Sequence, residues 1–177
     1  MTARTLVLLR HAKAETPGEM RDFDRRLAGT GAADALAAGV WLAGEGIHPE
    51  LVLCSPAART RRTWQAVAIA LAGAREDDAK PEVHYEPEVH YEPGLYDGGR
   101  TEVIDLLRAV PDDIRTVLVV GHNPTMTDVS LLLRTDTTNV DLHGLKTSGL
   151  AVHRTEESWS RTEPGSMPLT GEHTARG

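Results

Sequence analysis

Cysteine, aromatic side chains, long apolar runs and positive charge are all in short supply in this chain of 177 residues. Its one cysteine, Cys54, excludes an internal disulfide framework and any zinc site built from several thiolates, and points to a reducing, cytoplasmic setting. Aromatic residues make up 4% against 40% for hydrophobic residues as a whole, so the chain is not a disordered segment, yet its core has to be aliphatic. No apolar stretch approaches the roughly 20 residues of a membrane span, and the first residues lack the basic-then-apolar pattern of an export signal. The expectation is a soluble, unexported protein that does not engage a membrane. With 19 Lys and Arg against 26 Asp and Glu, the net charge of −7 argues against a surface made to coat nucleic acid. The length suits one domain with a buried core, with or without a tail.

What is present is a set of short, continuous apolar runs: residues 5–9, 51–54 and 116–120. Runs that do not alternate are the mark of strands covered on both faces, which favours a parallel sheet. Between the first two runs, residues 31–44 are rich in helix formers, with Leu36, Val40 and Trp41 expected to form the apolar face. Ser55-Pro56 reads as an N-cap followed by proline at the first helical position, opening a helix to about Leu71, and Asn123-Pro124 repeats that signal before 126–133. A further helix around 101–110 carries Val103, Leu106, Leu107 and Val110 as its stripe. This alternation predicts a three-layer α/β/α sandwich with a mostly parallel central sheet and right-handed crossovers. A last strand is expected at 149–153, with Trp159 on a return segment.

Two segments stand apart. Residues 81–86 and 87–92 are a tandem hexapeptide, Pro-Glu-Val-His-Tyr-Glu twice, too short for a solenoid and expected in a loop or an edge strand. Its histidines, His84 and His90, lack the thiolate partners or helical pairing that a metal site would want. From residue 163 onward Pro, Gly, Ser and Thr dominate, so the expected domain is 1–162 and the expected disordered tail 163–177.

In open α/β sheets ligands gather beyond the carboxyl ends of the strands. There the first run ends in Arg10-His11, the second leads to Ser55-Pro56-Ala57-Ala58-Arg59, and the third ends in Gly121-His122-Asn123-Pro124. Two histidines and two arginines thus converge on one rim. Guanidinium forks match phosphate oxygens, and a neutral imidazole attacks phosphorus. The helix start after Ser55-Pro56 adds backbone N–H groups and a positive dipole end. There is no P-loop motif and no aspartate-rich cluster near these strands, so neither a metal nor a cofactor is required.

These residues resemble the histidine phosphatase superfamily, the clan of cofactor-dependent phosphoglycerate mutases and acid phosphatases. Leu8-Leu9-Arg10-His11-Ala12-Lys13 resembles its Arg-His-Gly signature region, residues 54–60 its second phosphate-binding arginine, and residues 119–124 its second histidine. The match in order and spacing runs from about Thr5 to His153. The SixA-like branch of small phosphohistidine phosphatases is nearest in wording, and Asp24-Arg25-Arg26-Leu27 resembles its Asp-Arg-Pro-Leu stretch, with Arg26 where proline is usual. The resemblance implies a phosphoglycerate mutase-like fold, with His11 the nucleophile that becomes phosphorylated and Arg10, Arg59 and His122 completing the phosphate pocket. For the proton donor it implies Glu92, with Asp97 as runner-up or no donor at all, because Asn123 rather than an acid follows His122.

The expected function is therefore a metal-independent phosphatase working through a phosphohistidine intermediate on His11. A phosphohistidine of a protein is the first substrate class, because no long insertion between Arg59 and His122 lids the site. A small organic phosphate is the alternative within the superfamily. A non-catalytic phosphate-binding module is the alternative outside it, although such a module has no need of the nucleophile. A monomer is the default expectation. Arg61 and Arg62 follow Arg59 on the same helix, suggesting a small cationic site in an acidic body.

Overall fold

The computed structural model describes residues 2–78, 85–141 and 143–175, with side chains of 75–78 left undescribed. Its centre is a six-stranded sheet in the order β3-β2-β4-β1-β5-β6. β1 (Arg4–Arg10), β2 (Leu51–Cys54), β3 (Glu88–Tyr91) and β4 (Thr116–Gly121) run parallel, while β5 (Leu150–Thr155) pairs antiparallel with β1 and β6 (Leu169–His173) antiparallel with β5.

The continuous apolar runs follow from helices on both faces. Because side chains alternate along a strand, Leu6, Leu8, Leu53, Val117 and Val119 join one core, under α4 (Arg100–Arg108) and α5 (Thr125–Leu133). Val7, Leu9, Val52, Cys54, Leu118 and Val120 join the other, under α1 (Gly29–Gly44) and α2 (Ala58–Asp78). Leu6 through Leu9 have no exposure at all. The three-layer expectation and the mostly parallel sheet are both met.

Three details correct the reading of the sequence. The buried face of α1 is formed by Gly31, Ala35, Ala38, Gly39 and Leu42, whereas Leu36 and Val40 are 42% and 60% exposed. The cause is close helix packing. A Cβ at Gly39 would lie 2.7 Å from the Ala70 Cβ and 2.8 Å from the Val67 carbonyl oxygen, so α1 meets α2 through small residues and turns its larger ones outward. α2 begins at Ala58, past Ser55-Pro56, and runs beyond Leu71 to Asp78.

The third correction is the C-terminal segment. Residues 163–175 are ordered and part of the domain, and residues 176 and 177 lie outside the described set. Met167 is 1% exposed in the first core, its N–H bonds to the Leu133 carbonyl, and β6 adds a strand beyond β5 with the His173 ring stacked on Trp41. A composition rich in Gly, Pro, Ser and Thr suited turns here rather than disorder. Trp159 is fully buried and donates from Nε1 to the Ile114 carbonyl.

The second copy of the hexapeptide supplies β3, the edge strand expected for this repeat. His90 is exposed and pairs with Glu88 at 2.6 Å, and His84 lies outside the described residues. No helix among the described residues is long and apolar enough to cross a membrane.

Candidate active site

Parallel register brings the reacting side chains together. Arg10 pairs with Gly121 and Cys54 with Val120, so the residues that follow, His11, His122 and Ser55, leave three adjacent strands at one level. The His11 N–H then bonds to the Gly121 carbonyl and the Ser55 N–H to the Val120 carbonyl. The two imidazoles face each other with ring centroids 5.3 Å apart.

A hydrogen bond fixes the tautomer of His11. His11 Nδ1 lies 2.8 Å from the Ala12 carbonyl, which only accepts, so Nδ1 carries the proton and Nε2 keeps its lone pair. His122 Nε2 lies 2.8 Å from Ser55 Oγ, which already accepts the Ala57 N–H. His122 Nδ1 is buried without a hydrogen-bond partner among the described residues. Both rings are neutral near pH 7. Burial, with the charges of Arg59, Arg10 and Arg25, outweighs the Ala12 bond and pulls His11 down to about 4. Burial, then the neighbouring His11 and Arg59, pulls His122 to about 3 against the opposing charge of Asp22.

Three guanidiniums surround this pair, and each has a buried Nε with no hydrogen-bond partner among the described residues: Arg10, Arg25 and Arg59. Arg10 is held by its Nη1 bond to the Leu145 carbonyl, which also accepts from Asn123 Nδ2. Arg59, on the first turn of α2, donates Nη1 to the Asp22 carbonyl at 2.7 Å and Nη2 to Asp22 Oδ2 at 3.0 Å. The same helix braces the exit of β1, because Thr63 Oγ1 accepts the Ala12 N–H. Asp22 also pairs with Arg25 at 3.2 Å and accepts the Tyr96 hydroxyl at 3.0 Å. Partial burial pushes the Asp22 carboxyl upward, but the bonds from Tyr96 and Arg59 and the arginine charges prevail and hold it below its usual range. The Tyr96 ring packs against His122, and Phe23 meets Tyr96 edge to face.

The structure thus joins Arg10, His11, Arg59 and His122, the four residues singled out at the strand ends. Glu92 follows β3 on the same rim, its N–H on the Cys54 carbonyl, but its carboxylate makes no hydrogen bond or ion pair among the described residues. Asp97 is exposed at the end of the short α3 (Gly94–Asp97), and Arg61, Arg62 and Lys13 are exposed as well. Four participants were missed. Arg25 sits inside the quoted Asp24-Arg25-Arg26-Leu27 stretch and Ser55 was read only as a cap, whereas Asp22 and Tyr96 carried no signal.

Comparison with known proteins identifies the family. The model of the histidine phosphatase superfamily (branch 1) matches residues 6–87. An uncharacterized protein of Mycobacterium tuberculosis is 35% identical over 174 residues, 95% of this chain and 100% of that one. A solved structure from Nakamurella multipartitia, named after the phosphohistidine phosphatase SixA, is 34% identical, covers 99% of this chain and 98% of its own, and superposes with a TM-score of 0.81. The fold is shared at a TM-score of 0.74 and 22% identity with the protein histidine phosphatase SixA complexed with tungstate, over 96% of each chain. By full-length identity as well as by architecture, the chain belongs to the histidine phosphatase superfamily, in its SixA-like branch, and is a phosphatase.

Proposed function

We propose that the chain hydrolyses a protein phosphohistidine through a phosphoenzyme intermediate on His11. The observation that carries the reading is the neutral His11, its Nδ1 proton on the Ala12 carbonyl, set among three buried N–H donors with no partner among the described residues, Nε of Arg10, Arg25 and Arg59. Such donors suit the oxygens of a transferring phosphoryl group, whose negative charge offsets the burial of the guanidiniums.

In the first step His11 Nε2 forms a bond to phosphorus while the bond to the leaving nitrogen breaks, and the leaving imidazole takes up a proton from solvent water, which the hydrolysis step returns. In the second, water attacks the phosphorus of phosphohistidine, the bond to Nε2 breaks, and inorganic phosphate leaves with neutral His11 restored. Both steps use only groups of the chain, the substrate and water. The surroundings of the leaving group favour a phosphoramidate over an alkyl ester. Asp22, the one carboxylate bonded to the pocket arginines among the described residues, is held ionised, and a departing imidazole needs less help from a strong acid than an alkoxide does. Glu92, whose N–H bonds to the Cys54 carbonyl just past β3, remains the first candidate to assist the leaving group, with Asp97 next.

Rapid-quench reaction with a ³²P-phosphohistidine protein tests the proposal. Acid-labile, base-stable label on the wild type, absent from His11→Ala, together with a higher kcat/KM for the phosphoramidate than for sugar or aryl phosphates, is the expected result. Turnover of esters alone would overturn the substrate assignment, and a fully active His11→Ala would overturn the mechanism. Glu92→Gln should leave phosphohistidine turnover within about threefold of wild type, the small effect expected where protonation of the leaving group is not demanding.

A further inference from the structure

Asp22 is the most connected side chain at the mouth of the pocket, yet it carries the charge least suited to a phosphate site. Its backbone carbonyl takes Arg59 Nη1, its Oδ2 takes Arg59 Nη2 and the Tyr96 hydroxyl, and its Oδ1 pairs with Arg25. A guanidinium has two usable forks, one between the two Nη groups and one between Nε and the adjacent Nη. Asp22 fills the first fork of Arg59, and the Nε of the second is buried with no hydrogen-bond partner among the described residues.

We infer that Asp22 is a positioning residue: it grips the outer fork of Arg59 so that the Nε fork is presented to the phosphoryl oxygens. The inference rests on the reading above, in which Arg59 binds the phosphoryl group. A long arginine side chain gives up about 2 kcal/mol of rotamer freedom when it is fixed. Two bonds from one residue, braced by Tyr96 on one side and Arg25 on the other, take up that loss before substrate arrives. Arg59 is buried, at 6% exposure, and Asp22 is the one residue its guanidinium bonds among the described residues.

Charge alone predicts the opposite outcome, which makes the sign of the effect diagnostic. A carboxylate beside the pocket repels an incoming dianion, so its neutralisation should strengthen oxyanion binding if Coulomb repulsion were its main effect. Positioning requires that binding weaken. The experiment measures the inhibition constant of orthovanadate, with KM and kcat for a phosphoramidate, in wild type, Asp22→Asn, Arg59→Ala and the double variant. Expected are a loss of about tenfold in vanadate affinity and a matching rise in KM for Asp22→Asn, the scale of one charge-assisted bond. No further loss is expected when Asp22→Asn is added to Arg59→Ala, because the aspartate acts through that arginine. Asp22→Glu should recover part of the affinity. Unchanged or tighter vanadate binding in Asp22→Asn, or losses that add in the double variant, would overturn the inference. Tyr96→Phe serves as the milder probe should Asp22→Asn fold poorly: a smaller loss of the same sign, abolished in the Arg59→Ala background, is expected, and no loss overturns the inference. A wild type that binds no vanadate would instead remove the phosphate-site reading itself.

Discussion

The depressed pKa of His11 has a direct kinetic consequence. An imidazole with the ordinary value of 6.5 is about 3% neutral at pH 5, whereas one at about 4 is roughly 90% neutral there, a difference of about thirtyfold in competent nucleophile. The free enzyme should therefore keep its kcat/KM nearly level from pH 7 down to 5, with the acid limb arising below 5. The perturbation is pH alone, and kcat/KM is the right quantity because it reports the protonation of the free enzyme. An aryl phosphate whose second ionisation lies below 5 keeps the substrate from imposing its own limb.

The same pocket supplies an independent check. Burial is the largest cause of the depression, with Arg59, Arg10 and Arg25 acting in the same direction. Vanadate replaces lost hydration with negative charge beside both rings, so the His11 and His122 proton resonances, silent between pH 5 and 7 in the free enzyme, should titrate upward in the complex. An acid limb or a resonance midpoint near 6.5 in the free protein would refute the reasoning, since the imidazoles would then be as well hydrated as in a peptide.

Other consequences can be checked separately. Gly31→Ala should destabilise the protein and lower activity, because the new Cβ would fall 2.1 Å from the Lys13 carbonyl oxygen, just past His11; at an exposed helical site the same change would stabilise by about 1 kcal/mol, so the sign of the Tm shift decides. Removal of residues 163–177 should prevent stable folding, and Met167→Ala alone should cost about 2–5 kcal/mol in urea denaturation, since Met167 closes the first core. His153, fully buried between Ser130 Oγ and the Met167 carbonyl, is lowered to about 4 by burial, so the unfolded chain binds its proton at about 6.5 and the folded one does not. Its contribution is complete above 6.5 and is lost as pH falls towards 4; His153→Gln should flatten the decline of the urea midpoint over that interval by about one proton, ~1.4 kcal/mol per pH unit.

Strand positions were legible because a parallel strand under two helical layers has no polar face to offer, and the continuous runs at 5–9, 51–54 and 116–120 are what that environment selects. The faces of α1 were not. Hydrophobicity points to Leu36 and Val40, but contact with α2 is decided by how near two backbones approach, and alanine and glycine permit the nearest approach. The C-terminal segment misled for a related reason. Composition reports the average cost of ordering a stretch, whereas Met167 and the pairing of β6 with β5 are contacts made to residues far away in the chain.

The site divides along the same line. Arg10, His11, Ser55 and His122 sit where strands end, so register alone assembles them, and Arg59 follows one helical turn later. Asp22 and Tyr96 come from two short helical turns 74 residues apart, and no periodicity links them. The scarcity of aromatics gives that contact a meaning composition could not supply. Aliphatic side chains fill most of both cores, and among only three tyrosines and one phenylalanine, Tyr96 and Phe23 stand together at the pocket mouth. There a rigid ring with a hydroxyl at its tip does what an aliphatic side chain cannot: it meets His122 in a T-shaped contact and donates its hydroxyl to Asp22. One side chain thus serves both contacts, so Tyr96→Phe, which keeps the ring and removes the hydroxyl, should loosen Asp22 while leaving the packing against His122 in place.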